Sequence, residues 1–558
     1  VAGSIDRRAF LARSAAAAAG VVAAGAAGDG LLGGGRAFAI GTNGPGRNGI
    51  SFQSPKKGGS LIFGVDAEEQ GFNPTTARFD EVGVMYARTV FDPLAIILPN
   101  GSWAPYLAQS VVPNATYSAW TINLRPNVVF HDGTPLDGAA LLMNFEAQLH
   151  SLLTGPELQP VVENFTQTGP LAVTVNLKQP WIPFPFYLAG GIGGQLAYPM
   201  APSMINAPNG GTDNPVGTGP FKFTEWVPND HFTATANPNY WRPGLPHLHQ
   251  VTYKPIPDDT ARSEALQSGT IDMMITDTPQ EIVLYRGNRQ WSYVDDSGPV
   301  VGEADMNCVQ LNLAVAPFNN PTVRLAMAKA VSPAAYARII DIGVNPVSTG
   351  LFSPGTPYYS KTTLPAYDPA GAKRLIQQVR QQTGKPVAFT LGTTNSPSAI
   401  RAQTYLAQQY KQAGMVVTTT VVEQNDYIDN ALSGKFQAYT WRQFGAVNPD
   451  LNYIFWSTTT YSANNLSINM ARNNDPRIEA ALQVGRTSTN PQARISAYQN
   501  INEYLAQDLP YLWGDRATWA VITHPNVQNF NNPTTPSGQK AYGMIGGSVW
   551  TTQIWKSS

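Results

Sequence analysis

The chain has 558 residues, too many for one ordinary hydrophobic core, so its length calls for two or three lobes. Lysine plus arginine (36) nearly balance aspartate plus glutamate (37), which leaves no basic bias to hold nucleic acid, and the 43% apolar content is that of a globular chain. The single cysteine, Cys308, rules out an internal disulfide framework and a cysteine metal site; it reads as a small buried hydrophobe.

At the N-terminal side, Arg7 and Arg8 precede Phe10 and Leu11, and an Ala/Gly-rich run extends from Ala15 to about Gly35. Ala37-Phe38-Ala39 then gives the small-x-small pattern that signal peptidase cuts. Segment 1–39 resembles a twin-arginine signal peptide, with Asp6 where Ser or Thr is usual. Asp29 and the glycines interrupt the run, leaving fewer than the ~18 apolar residues a membrane span needs. With no cysteine near the cleavage region, a lipid anchor is not expected. The expectation is a soluble protein, periplasmic or secreted, whose residues 40–57 form a flexible leader.

Beyond the leader, period-two patterns predict strands. Trp120, Ile122 and Leu124 alternate with Thr121, Asn123 and Arg125, and Leu171, Val173, Val175 and Leu177 alternate with Ala172, Thr174, Asn176 and Lys178. Asn100-Gly101 and Asp132-Gly133 are turn pairs between strand-like runs, and Gly217-Thr218-Gly219-Pro220 reads as a tight entry into the strand with Phe221 and Phe223. Helical faces dominate later. Val323, Ala326, Met327, Ala330 and Val331 share a face, with Pro321 starting that helix and Pro333 ending it. Asp368-Pro369 and Asn490-Pro491 each place a capping residue before a proline at the first helical position. The helix through Leu406 and Tyr410 stops at Gly414, and residues 415–422 follow as a β-branched strand. Strands and helices intermix, so the class is α/β or α+β, without solenoid repeats.

Catalytic signatures do not emerge. There is no Walker A loop, His-Glu-x-x-His, Gly-x-Ser-x-Gly elbow or dinucleotide glycine fingerprint. His247 and His249 read as loop residues after Pro246 rather than metal ligands, and Asp258-Asp259 and Asp295-Asp296 as turn and cap residues rather than paired acid and base. The expectation is no enzyme, no catalytic residues, no metal and no cofactor.

Seven blocks, in order, resemble the peptide/nickel-type (family 5) ABC transporter solute-binding proteins, the group of the dipeptide- and oligopeptide-binding proteins. They are Gly58-Gly59-Ser60-Leu61, EEQGFNP (68–74), FDPLAIILPNGSWAPYLAQS (91–110), WTINLRPNVVFHDGTPLDGAALLMNFE (120–146), NPVGTGPFKFTEWVPNDHFTATANPNYW (214–241), ALQSGTIDMM (265–274) and LNLAVAPFNNPTVRLAMAKAV (311–331). The resemblance implies an α/β, two-lobe periplasmic-binding-protein fold (type II-like) with an extra inserted β-rich domain and a ligand cleft between the lobes. Lobe I would comprise 58–93, 200–303 and 516–558, the inserted domain 94–199, and lobe II 304–515. It implies a monomer that captures peptides or peptide-like ligands by lobe closure and delivers them to an ABC permease and ATPase complex, the ligand backbone pairing with protein backbone in roomy pockets. By position in the family, the ligand-binding candidates are Glu68 and Gln70 on the first-lobe rim, with Trp441, Arg442 and Phe444 lining the cleft.

Other ligands suit the same shape: an oligosaccharide stacked on Trp441, Phe444, Tyr453, Phe455 and Trp456, an opine, a metal chelate or haem. An extracytoplasmic hydrolase, and a sensing or chaperone role without transport, are the readings from other classes. The resemblance also exposes a departure. Peptide-binding relatives place an aspartate a few residues after the cleft tryptophan to pair with the ligand's α-ammonium, whereas residues 441–449 contain no acid before Asp450. Either Glu68 or another acid takes over, or the ligand has no free charged amine there; the sequence favours the second, since Arg442 facing the cleft would add repulsion.

Overall fold

A computed structural model describes residues 54–558 except 78, 192–194, 298–304, 349, 363, 444, 464–465 and 558. The export segment with Arg7, Arg8, Ala37 and Ala39, most of the 40–57 leader, and Phe444 lie outside the described residues. Among the described residues no helix is long and apolar enough to cross a membrane.

Two large sheets organise the chain. The first has seven strands, in spatial order Ser292–Asp295, Ala520–Thr523, Met273–Thr276, Ser60–Val65, Gln250–Pro255, His231–Ala236 and Phe221–Val227. Ser60–Val65 runs parallel to both of its neighbours, and the other pairings are antiparallel. Leu61, Phe63 and Val65 are fully buried, as a central strand covered on both faces requires. The second sheet has five strands, in the order Val416–Val422, Ala388–Thr394, Ala438–Gln443, Met306–Leu311 and Tyr511–Arg516. Its first three strands are parallel, and Met306–Leu311 is antiparallel to both neighbours.

The chain leaves the first sheet after Asp295 and returns to it through Ala517–Trp519. The two crossings are tied side by side: Ala517 N–H donates to the Asp305 carbonyl at 2.8 Å, Trp519 Nε1 to the Asp305 carboxylate at 2.9 Å, and Trp519 N–H to the Asp296 carboxylate at 2.8 Å.

A third, four-stranded antiparallel sheet runs Ala108–Pro113, Ala119–Leu124, Ala172–Leu177, Val162–Gly169. Its alternation is the one written in the sequence. Trp120, Ile122, Leu124, Val173, Val175 and Leu177 pack with Leu141 and Phe145 of the helix Gly138–Leu149. On the outer face Thr121 and Thr174, opposite each other in register, bring their hydroxyls to 2.9 Å.

Local signals act where expected. Asn320, Asp368 and Asn490 each accept a backbone N–H of the following helical turn, with proline in the first turn. The helix Pro397–Gln412 ends before Gly414, which takes φ +91°. Pro333 does not end the helix Pro321–Ala330; it starts the next one, Pro333–Ile339, capped by Ser332. Gly217 and Gly219 let the chain lie against another backbone: a Cβ on Gly219 would stand 2.4 Å from the Val90 carbonyl carbon. Cys308 is buried on Met306–Leu311.

Candidate functional site

Parallel strands in an open α/β sheet gather their carboxyl ends on one edge, where the segments that follow them can converge on a ligand. Here both large sheets do this, and the two edges face one cavity of about 410 Å³. From the first sheet, Asp66 follows Ser60–Val65, Asp277 follows Met273–Thr276, and Pro257 and Asp259 follow Gln250–Pro255. From the second, Thr393, Thr394 and Asn395 end Ala388–Thr394, Glu423 follows Val416–Val422, and Trp441 and Arg442 lie near the end of Ala438–Gln443. The volume is within the range of small-molecule sites.

Arg442 links the two edges. Its guanidinium donates to Asp277, reaches Glu81 at 3.4 Å and Asp305 at 3.9 Å, and lies over the Trp519 ring at 4.3 Å. Burial works against this cation, but Glu81, Asp277 and Asp305 outweigh it and hold Arg442 above its ordinary value. Glu81, in the first turn of the helix Glu81–Val90, is pushed well above the usual carboxylate range by burial, with Arg442 pulling it back and Asp305 and Asp80 adding to the rise. Asp277 and Asp66 are likewise raised, chiefly by burial. Arg442 therefore meets the cleft engaged by three acids rather than as a free cation, which weakens the repulsion expected of it.

Glu68 is half-buried and lines the cavity beside Asn229. Its carboxylate accepts from Trp226 Nε1 at 3.2 Å and from the Asn229 N–H, which fixes it to the hairpin of Phe221–Val227 and His231–Ala236. Gln70, two residues on, is exposed and outside the cavity lining. Trp441 lines the cavity with part of its surface but is 6% exposed, because Tyr427 stacks on it at 5.3 Å, Tyr439 on Tyr427 at 4.1 Å and Phe436 on Tyr439 at 4.8 Å. The sugar-stacking platform expected of Tyr453, Phe455 and Trp456 is not built: all three are buried in the core beneath the second sheet and do not line the cavity.

Asp258 caps the helix Asp259–Gln267, as a cap residue should, but Asp259 pairs with Arg262 and lines the cavity. His247 and His249 lie in a loop, and among the described residues no three His, Cys, Asp or Glu side chains come together to hold a metal ion. Sequence reasoning missed Asp66, Asp277, Asp341 and Asp515, all in the lining. Two of these follow parallel strands directly, and Asp515 sits inside a strand, where aspartate is disfavoured; both are signals a sequence carries.

A family description, bacterial extracellular solute-binding proteins, family 5 Middle, matches residues 102–465, well over half of the chain. The chain belongs to the family 5 solute-binding proteins. Members similar to it include the nickel-binding periplasmic protein of Escherichia coli K12, 25% identical over 80% of this chain and 87% of that one. The glutathione-binding protein GsiB of Salmonella paratyphi A is 24% identical over 73% and 79%. Among solved structures, the periplasmic binding protein DppA of Helicobacter pylori in complex with peptide STSA superposes with a TM-score of 0.79 at 20% identity, covering 90% of this chain and 99% of that one. The fold of this family 5 protein is thus the two-lobe α/β fold, each large sheet being the centre of one lobe and the cavity lying between them.

Proposed function

We propose that the protein captures peptides or peptide-like solutes in the inter-lobe cavity, outside the cytoplasmic membrane, and hands them unchanged to an ABC permease and ATPase complex. The observation that carries this reading is the cavity itself, whose wall comes from both lobes, with lobe II supplying most of it and lobe I closing it through Asp66–Glu68, Asp80, Glu81, Asp259 and Asp277. A ligand touching both sides gains contacts only when the lobes approach, so binding shifts the population toward a closed form that a membrane partner can read. Micromolar affinity corresponds to about −8 kcal/mol, which needs only a few backbone hydrogen bonds and partial apolar burial. Relatives named for glutathione and solved with a peptide support the ligand class, and the relative named for nickel makes a metal chelate the competing outcome.

The same reading divides the chain as lobe I over 58–93, 200–303 and 516–558, an inserted domain over 94–199 and lobe II over 304–515, acting as a monomer after export through the 1–39 signal. The membership of the three sheets supports this division. Mass analysis of ligand released from protein purified out of a bacterial host tests the assignment. A ladder of peptide masses, bound and recovered intact, is the expected result. A metal chelate replaces the peptide reading, and a ligand recovered as cleaved product overturns the non-enzymatic one.

A further inference from the structure

Among the described residues, two acids in the lobe II wall of the cavity have hydrogen-bond donors but no cationic partner. Asp515, on Tyr511–Arg516, is fully buried, and Asp341, just after Pro333–Ile339, is 3% exposed. Both line the cavity. One Asp515 oxygen accepts from Asn307 Nδ2 at 2.8 Å and Asn345 Nδ2 at 2.9 Å. The same Asn345 nitrogen reaches Asp341 at 3.3 Å, so a single amide bridges the two carboxyls. Its orientation is fixed from behind, because Asn345 Oδ1 accepts the Thr518 N–H at 3.1 Å. The second oxygen of each aspartate, Oδ2, is buried and accepts nothing.

Among the described residues no basic side chain pairs with either carboxyl. Arg442 is engaged by Glu81, Asp277 and Asp305, Arg262 by Asp259 and two carbonyls, and Arg516 donates to the Gly350 carbonyl. Two buried carboxyls with vacant acceptor sites and no cation cost stability, and such groups persist in a binding protein when a ligand supplies the missing charge. The same cavity wall carries Val331, Tyr336, Ile340, Leu406 and Tyr410, an apolar surface for a stem.

We propose that Asp341 and Asp515 form a cation-recognition subsite that takes an ammonium or guanidinium group of the solute, carried on an apolar stem. The inference rests on the solute-binding reading above and narrows its ligand class. It runs against the expectation, drawn from residues 441–449, that the ligand lacks a charged amine: the acid is supplied from another strand of the same lobe. Burial first, and Asp515 as a like charge second, push Asp341 up to about 8; burial pushes Asp515 up to about 7. An arriving cation would reverse both shifts.

The test titrates ligand-stripped protein with three matched pairs: butylguanidinium against butylurea, pentylammonium against pentanol, and Ala-Lys-Ala against Ala-norleucine-Ala. The cationic member of at least one pair should bind ten times more tightly, and that gap should fall below threefold in Asp515→Asn and Asp341→Asn, which keep the shape of the site. No charge preference in any pair for the native protein overturns the subsite, whatever the variants do. So does a preference that both variants retain. Binding of the cationic fragments without any peptide keeps the subsite and removes the peptide reading. Equal binding of both peptides, with no preference in the fragment pairs, does the reverse.

Discussion

Arg486 and Asp450 form a two-pronged ion pair in the interior, Nε to Oδ1 at 3.2 Å and Nη2 to Oδ2 at 3.2 Å, with neither side chain reaching solvent. Glu157 and Trp181, from the segment carrying the four-stranded sheet, close the network: Arg486 donates to Glu157, and Trp181 Nε1 donates to Asp450 at 2.8 Å. The Arg486 guanidinium also lies 3.7 Å from the Tyr453 ring centre. Asp450 is the first acid after Trp441, and its whole acceptor capacity is spent on this joint rather than on a ligand.

Breaking a buried pair by removing one partner leaves an uncompensated charge, which costs about 3–5 kcal/mol. Arg486→Met should therefore lower the urea midpoint strongly and loosen the four-stranded sheet against lobe II. An unchanged midpoint would show that the network adds nothing to stability.

Gly219 offers a second stability test. A Cβ there would meet the Val90 carbonyl carbon at 2.4 Å, its oxygen at 2.5 Å and the Phe91 nitrogen at 2.8 Å, all backbone atoms. Gly219 N–H also donates to the Val90 carbonyl at 2.8 Å, so the two strands of chain cannot part without losing that bond. Gly219→Ala should cost about 1–3 kcal/mol by overpacking. Gly133→Ala, at φ +88° with open space around it, should cost only about 1–2 kcal/mol from its left-handed backbone. Denaturation midpoints that place Gly133→Ala clearly below Gly219→Ala would contradict this ranking.

These contrasts mark what the sequence could and could not tell. Alternation at 120–124 and 172–177 survives because each strand buries one face, and the Asp368-Pro369 and Asn490-Pro491 starts survive because a cap is decided within four residues. Tyr453, Phe455 and Trp456 went to the core instead of the cleft, since hydrophobic content does not say which cavity wall a residue faces. Asp341 and Asp515 meet only through Asn345, which lies 170 positions from Asp515, a juxtaposition that no local pattern encodes.

Export has its own test. The proposed export signal rests on Arg7-Arg8, the Ala/Gly run and Ala37-x-Ala39, and it predicts translocation of folded protein and a cut after Ala39. Replacing both arginines with lysine should leave the precursor inside the cell, and the mature protein should begin at Ile40. Normal export of the double variant removes the twin-arginine assignment.

The Asp341–Asp515 pair gives a pH dependence with a definite sign. The groups facing it are Asn307 and Cys308 on Met306–Leu311, Asn345, Tyr336 on Pro333–Ile339, and Asp277 across the cavity. Both folded values, about 8 and about 7, stand above the ordinary 3.8 of an unfolded aspartate. The native state then holds protons that the unfolded chain releases, so this contribution to stability is full below pH ~4 and is lost as pH rises toward 8. Asp515→Asn should flatten the fall in melting temperature between pH 5 and 7.5 for ligand-free protein. A slope equal to that of the native protein would place the titration elsewhere.

Arg442 should set the balance between open and closed lobes. It projects from the lobe II strand Ala438–Gln443, while Glu81 and Asp277 belong to lobe I, so the ion pairs exist only when the lobes are near each other. The Arg442 side chain is 24% exposed and that of Asp277 27%, which screens the pairs partly, whereas Glu81 at 3% is hardly screened. Arg442→Gln removes the charge and leaves three carboxyls of Glu81, Asp277 and Asp305 facing one another. The ligand-free protein should then show a larger radius of gyration by small-angle scattering. Affinity should fall about tenfold, ~1.4 kcal/mol, because the binding-competent closed form is less populated. Arg442→Lys keeps the charge but loses the fork that reaches two carboxylates together, so it should recover part of both effects. If Arg442→Gln scatters like the native protein and binds as tightly, closure does not depend on this contact and the lobes are held by the paired crossings at Asp305 and Trp519 alone.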